Sequence, residues 1–272
     1  MAVSFDGSSY LKRLAVETGI FFDGVALSFW YYHDGSSYPS ADECIFNRGH
    51  PTLDYHNFSV YVTPVGSFKS EWVANTAAAN VTTTTTMGAA GWYHVLTHHV
   101  GGAGPIHLVY LNGAGKDKST NSANPSTGTF TTIGARRTWV GFPTFSAVYV
   151  DKLSVGHIAE VCEWEGDVGG EITEAQWDEI ALSLYNTRRQ PWPDHILSSG
   201  EWRYWPLVIK EFKSFAGWNT TLTEVGTVGL EDHIPMPGPW PVSRWLKPAV
   251  AAAVDPSVHI LGGSILGATI AP

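Results

Sequence analysis

Residues 25–33 read VALSFWYYH, and both parities of that run are largely apolar: Val25, Leu27, Phe29 and Tyr31 alternate with Ala26, Ser28, Trp30 and Tyr32. Successive side chains of an extended chain point to opposite faces. Such a run belongs to a central strand whose two faces are both covered, so the chain must build a sheet around it and pack something on each side. The neighbouring segments supply partners. In NFSVYVT (57–63), Phe58, Val60 and Val62 alternate with Ser59, Tyr61 and Thr63. In GWYHVLTHHVGGAGPIHLVYLNGAG (91–115), Trp92, His94, Leu96 and His98 share one face, and Tyr93, Val95, Thr97 and His99 share the other. After GGAGP, Ile106, Leu108 and Tyr110 oppose His107, Val109 and Leu111. Asn112-Gly113 tolerates positive φ at both turn positions, the strongest short hairpin signal. Residues 1–165 as a whole are short apolar runs separated by Gly, Asn, Asp, Ser and Pro, the pattern of strands and turns.

One helix stands apart. ITEAQWDEIALSLYNTRR (172–189) has Thr173 as N-cap and Gln176 three residues on, a capping box, flanked by Ile172 and Trp177 as a hydrophobic staple. Trp177, Ile180, Ala181 and Leu184 form a stripe at helical spacing; Arg188 and Arg189 suit the negative end of the helix, and Pro191 stops it. Beyond residue 190 the character changes. EWRYWPLVI (201–209) is a strand that Pro206 pushes toward an edge. IPMPGPWPVSRWLKP (234–248) holds five prolines and is extended, and AVAAAVDPSVHILGGSILGATIAP (249–272) carries Asp255 as its only formal charge.

Composition narrows the function classes. Charged residues are only 15% of the 272, against about 25% in an average globular chain, so the surface is covered by uncharged polar groups or by partners. A net charge of −9 argues against nucleic acid, which calls for a basic footprint. No run approaches the 18 apolar residues of a membrane helix, and MAVSFDGSSYLKRL lacks a secretory pattern. That leads to an expectation of cytoplasmic synthesis, with Cys44 and Cys162 as buried free thiols.

Seven segments in order, VSFDGSSYL (3–11), VALSFWYYHDG (25–35), IFNRG (45–49), GWYHVLTHH (91–99), IHLVYLNG (106–113), TTIGA (131–135) and VGHIAEVCEWEGDVGGEITEAQWDEI (155–180), resemble a LamG-like, concanavalin A-like domain over about the first 186 residues. The resemblance implies an all-β fold: a two-sheet antiparallel jelly-roll sandwich with one short capped helix, about 173–187, and an extended C-terminal arm. In many such domains a YWPL…G…LT…G segment precedes the FDGSSYL strand, whereas here YWPLVIKEFKSFAGWNTTLTEVG (204–226) follows the helix. The chain therefore looks permuted. The expected organisation is a sandwich over 1–230, completed by 201–230 beside residues 3–11, and a Pro-rich spacer with an apolar arm over 231–272.

Some proteins of this superfamily hydrolyse glycosides with paired carboxylates on one strand face. The only acidic cluster of that kind is Glu160, Glu163, Glu165 and Asp167; Glu160 and Glu163 differ by an odd number and fall on opposite sides of a regular strand. No catalytic residue is assigned and an enzyme is not expected. His98 and His107 sit across from each other in the expected hairpin, but no third ligand has fitting spacing, so neither a metal site nor a cofactor is assigned. Asp6, Asp34 and Asp151 lie in turns where a carboxylate holds Ca²⁺ with backbone carbonyls, although Asp-Gly suits such turns without an ion. Exposed Trp or Tyr would stack on sugar rings; alternatively Trp30, Trp92, Trp139, Trp164 and Trp177 fill the core.

An exposed apolar, β-capable arm invites aggregation unless a neighbour covers it, commonly by strand addition. Val250, Val254, Val258, Ile260, Leu261, Ile265, Leu266 and Ile270 are the candidate contacts. LamG-like proteins with a short extension and no signal peptide occur among phage particle components. The expectation is a virion structural protein, capsid-decorating or on the particle surface, anchored through this arm to other virion proteins and copies of itself. The alternative is a carbohydrate-binding module that takes glycans or a host-surface receptor. Neither reading involves nucleic acid or a membrane.

Overall fold

The computed structural model describes residues 2–14, 24–49, 57–74, 77–100, 106–120, 130–140, 147–152, 154–166, 172–188, 201–207 and 221–232. The chain divides into two units, Met1–Pro237 and Gly238–Pro272, and the second lies outside the described residues. Among the described residues no helix is long and apolar enough to cross a membrane.

The first unit is an all-β sandwich. Its strands are β1 (Ala2–Asp6), β2 (Tyr10–Leu14), β3 (Gly24–His33), β4 (Glu43–Gly49), β5 (Asn57–Val62), β6 (Phe68–Ala74), β7 (Ala77–Thr82), β8 (Gly91–Val100), β9 (Ile106–Leu111), β10 (Gly115–Ser119), β11 (Phe130–Ile133), β12 (Arg136–Val140), β13 (Ala147–Asp151), β14 (Val155–Gly166), β15 (Glu201–Trp205), β16 (Thr223–Val225) and β17 (Gly229–Glu231). One sheet runs β10-β9-β8-β3-β14-β1-β17 with β15 also on β14; the second runs β16-β2-β11-β4-β5-β6-β7; β12 and β13 form a separate pair. Every pairing in the two large sheets is antiparallel.

β3 is central, held between β8 and β14. Val25, Leu27, Phe29 and Tyr31 join the interior between the sheets, with Phe46, Phe58, Val60 and Phe68 from the second sheet. Ala26, Ser28 and Trp30 on its other face are buried as well. The agent there is α1 (Glu174–Thr187), whose Tyr185 stacks on Trp30 at 5.9 Å and whose Trp177 stacks on His98 at 4.2 Å. Burying a ring of that size contributes about 2 kcal/mol. α1 starts where its sequence says: Thr173 Oγ1 accepts from the Gln176 amide while the Thr173 amide donates to Gln176 Oε1 at 2.8 Å. Trp177, Ala181 and Leu184 are buried. The Asn112-Gly113 turn, at φ 53° and 75°, lies beneath the helix, and a Cβ on Gly113 would stand 2.9 Å from Tyr185 Cβ and 3.0 Å from the Ala181 carbonyl oxygen.

The segment after the helix returns to both sheets: β17 pairs with β1, placing Val3 opposite Leu230, and β16 pairs with β2, placing Leu11 opposite Glu224. β15 ends at Trp205, because the next residue, Pro206, has no amide to donate to the ladder; residues 208 and 209 of the expected strand lie outside the described residues. β14 has to serve two partners along one edge, β1 over Val155–Ile158 and β15 over Val161–Glu165. A bulge between Ala159 and Cys162 separates the two stretches; Glu160 there takes φ 55° and donates its amide to the Pro206 carbonyl.

Candidate functional site

The bulge decides where the acidic residues go. Glu163 lies opposite Arg203 and points into the sandwich, where Oε1 accepts from Arg48 at 2.7 Å and Oε2 lies 3.3 Å from Arg203 Nη1. Glu160 accepts a hydrogen bond from the hydroxyl of Tyr204, the next residue along β15, and so occupies the other face. Both carboxylates are buried, at 0% and 1% exposure. Burial pushes the Glu163 carboxyl up, and the guanidiniums of Arg203 and Arg13 pull it back. This is the geometry of buried ion pairing. The side chains of Glu165 and Asp167 lie outside the described residues.

His94, His98, His99 and His107 are buried. The Val100–Ile106 pairing sets the register so that His99 faces His107, and His98 faces Leu108; the expected His98–His107 pair is therefore corrected, since the two differ by one position and lie on opposite faces. His99 and His107 meet edge to face at 4.9 Å, His99 stacks on Trp72 at 4.7 Å, and His107 Nε2 is 2.7 Å from Ser70 Oγ. On the helix side, His94 Nε2 is 2.8 Å from Ser28 Oγ. Burial lowers the His94 pKa to about 3 and holds His107 well below the ordinary imidazole value, the other two histidines adding to the latter. Among the described residues no group of three or more His, Cys, Asp or Glu side chains is placed to hold a metal ion. Asp6 accepts from the amides and hydroxyls of Ser8 and Ser9, all at 2.9 Å, which lowers it to about 2; Asp34 accepts from the Ser36 amide at 2.8 Å. The Asp151 side chain lies outside the described residues. Cys44 and Cys162 are buried free thiols.

A concave surface with free access lies at the end of the sandwich where β3 runs out and β14 begins. It is a cleft of about 430 Å³ whose lining includes Tyr31, Tyr32, Asp34, Tyr38, Glu43 and His157. Register lines up three rings beside it, of which Tyr32 and His157 belong to the cleft lining. On the outer face of the first sheet, Trp92 of β8 pairs with Tyr32 of β3, which pairs with His157 of β14. Three rings thus stand side by side: Tyr32 to Trp92 at 5.3 Å and 56°, Tyr32 to His157 at 5.1 Å and 11°. All three are half-buried, so part of each ring faces outward. This corrects the placing of Trp92 in the core; Trp30, Trp164 and Trp177 are buried, and the side chain of Trp139 lies outside the described residues.

The cleft wall is built from three turns tied together. Tyr38 stacks on His33 at 4.9 Å and donates its hydroxyl to the Met87 carbonyl, while the Met87 amide donates to the Gly66 carbonyl at 2.9 Å. Gly66, at φ 76°, lies so close under Tyr38 that a Cβ would be 2.4 Å from the ring. Gly156, at φ 136°, lets the cleft continue over the sheet edge, since a Cβ there would meet Tyr31 Oη at 2.8 Å. Polar groups ring the floor. Serine hydrogen bonds hold Asp34 below the usual carboxylate range. Burial pushes Glu43 up, opposed by the Val155 amide that donates to it at 2.9 Å. Burial lowers His157, opposed by nearby Glu231 and Asp34. Of these residues the sequence had pointed only to Asp34 and, as a general class, to exposed Trp and Tyr. Tyr32 and His157 become a platform only through pairing between strands 125 residues apart, and no local pattern carries that.

The contacts expected of Val250, Val254, Val258, Ile260, Leu261, Ile265, Leu266 and Ile270 lie outside the described residues.

No protein-family model matches the chain, and no curated protein matches it. Solved structures do. One is the native heptameric SAP-like pentraxin from Limulus polyphemus, at 16% identity, covering 69% of this chain and 82% of that one with a TM-score of 0.50. Another is a "putative carbohydrate binding protein" from Bacteroides ovatus, at 18% identity, covering 85% of this chain and 60% of that one with a TM-score of 0.55. The chain has a concanavalin A-like, LamG-like jelly-roll fold.

Proposed function

We propose that the protein is a non-catalytic carbohydrate-binding module that holds a pyranoside on the Trp92–Tyr32–His157 ledge. The observation that carries this reading is the ledge itself: three half-buried rings in register across adjacent strands, two of which, Tyr32 and His157, line a cleft together with Asp34, Ser36, Ser37 and Glu43. The apolar faces of sugar rings pack on aromatic side chains, and carboxylates and serine hydroxyls at the edge take up the hydroxyl hydrogen bonds. Binding clefts combine such an apolar floor with a few convergent polar groups. The walls are cross-tied before any ligand arrives, which lowers the ordering cost of binding. The likeness in fold to the "putative carbohydrate binding protein" of Bacteroides ovatus supports the reading, and Glu160 and Glu163, buried on opposite faces of β14, are not placed as a catalytic pair. The test is a glycan array followed by calorimetry on Trp92→Ala and Tyr32→Ala. Each is expected to weaken a saturable glycan by about tenfold or more with unchanged circular dichroism. Unaltered affinity in both variants would remove the ledge from the reading.

A glycan-binding face suits a particle-surface protein, so the virion role stands as a second proposal resting on the low charge and the apolar segment 248–272. Deleting 248–272 is expected to reduce the size of the purified assembly; an unchanged size with unchanged particle binding would count against it.

A further inference from the structure

We infer that this cleft is a charge filter: it takes uncharged saccharides and rejects those bearing carboxylates, the sialic acids and uronates. The inference rests on the glycan-binding reading and adds the ligand class. Among the described residues lining the cleft there are two carboxylates, Asp34 and Glu43, and neither lysine nor arginine. A third carboxylate, Glu231, acts on His157 from the β17 side. The bases present are imidazoles, His33 and His157, and burial lowers His157 against the pull of Glu231 and Asp34. Asp34 is an anion fixed in place by the Ser36 amide at 2.8 Å. Glu43 accepts from the Val155 amide through Oε2 and lines the cleft.

Recognition of a ligand carboxylate calls for a cation or a fork of charged donors, and the acidic side chains of the described cleft lining, Asp34 and Glu43, are carboxylates with no lysine or arginine beside them in that lining. Neutral sugars present hydroxyl donors, which suit Asp34 and Glu43. An anion ~8 Å away at an effective dielectric of about 40 lowers the affinity of an ionised ligand roughly fivefold, so Asp34 and Glu231 together give about tenfold or more at low salt. Screening shrinks that factor as ionic strength rises.

Matched ligands that differ only in charge test the inference on the full chain: oligogalacturonate against its methyl ester, and sialyllactose against lactose, added to a broad neutral glycan array. The neutral member is expected to bind at least about tenfold tighter at low salt. The gap is expected to narrow in high salt and in the Asp34→Asn/Glu231→Gln double variant, whose two positions are exposed and leave the core untouched. Equal or tighter binding of the acidic members overturns the filter and leaves the glycan reading standing. An array with no binding at all, neutral or acidic, overturns the glycan reading and the filter with it.

Discussion

His94 ties the stability of this fold to pH. The imidazole is fully excluded from solvent on the helix side of β8, hydrogen-bonded to Ser28 and packed on Trp30 at 5.1 Å. Burial lowers its pKa to about 3 in the folded protein, against about 6.5 when unfolded. The unfolded chain therefore binds a proton that the folded chain refuses, and stability falls as pH drops below 6.5 and continues to fall until pH 3. Between pH 7.5 and pH 5 the loss from this one residue is about 2 kcal/mol. His107, lowered in the same direction, adds to it. Glu43 and Glu163, raised by burial, work the other way. Asp6 and Glu174, both lowered to about 2, contribute stability that is lost mainly below pH 5. The wild-type slope is thus a sum, and the clean measurement is a difference. His94→Gln retains a hydrogen-bonding group for Ser28 but does not titrate. Urea unfolding followed by tryptophan fluorescence at pH 7.5, 6 and 5 should show the stability gap between variant and wild type shifting in favour of the variant by about 2 kcal/mol. If the two proteins show parallel pH dependence, His94 is not the neutral buried group described here.

Three further perturbations follow from the same contacts. Glu163→Ala withdraws the carboxylate that Arg48 and Arg203 share inside the sandwich and should cost about 3–5 kcal/mol in denaturant unfolding; a loss below 1 kcal/mol on that scale would show the guanidiniums to be satisfied without it. Gly113→Ala meets both a positive φ and the backbone of α1, so it should destabilise by about 2 kcal/mol and raise hydrogen exchange in 174–187 before the sheets. Gly66→Ala pushes on the Tyr38 ring from 2.4 Å; glycan affinity should fall further than thermal stability, and unaltered affinity would show that Tyr38 is not part of the binding wall.

The legible parts of this protein were local. The two-sided apolar parity of VALSFWYYH required a buried central strand, and β3 lies between β8 and β14 with nearly every side chain buried. Thr173 and Gln176 marked the helix start because a capping box satisfies amides within four residues of chain. Asn112-Gly113 marked a turn because positive φ is tolerated by those residue types. Parity also separated His94 and His98 from His99 correctly. Only tertiary structure could say which strand stands opposite which. A register shift of one residue exchanges the faces, and it is register that puts His99 rather than His98 near His107 and gathers Trp92, Tyr32 and His157 from three strands into one ledge. The bulge at Glu160 likewise exists because β14 must seat both β1 and β15 along a single edge. That demand is made by segments far apart in the chain, and nothing in AEVCEWE announces it. The local backbone code is set by each residue's own sterics and donors. The cleft is set by long-range pairing, whose energy is spread over many strands, so the sequence specified the materials of the site and folding decided where they meet.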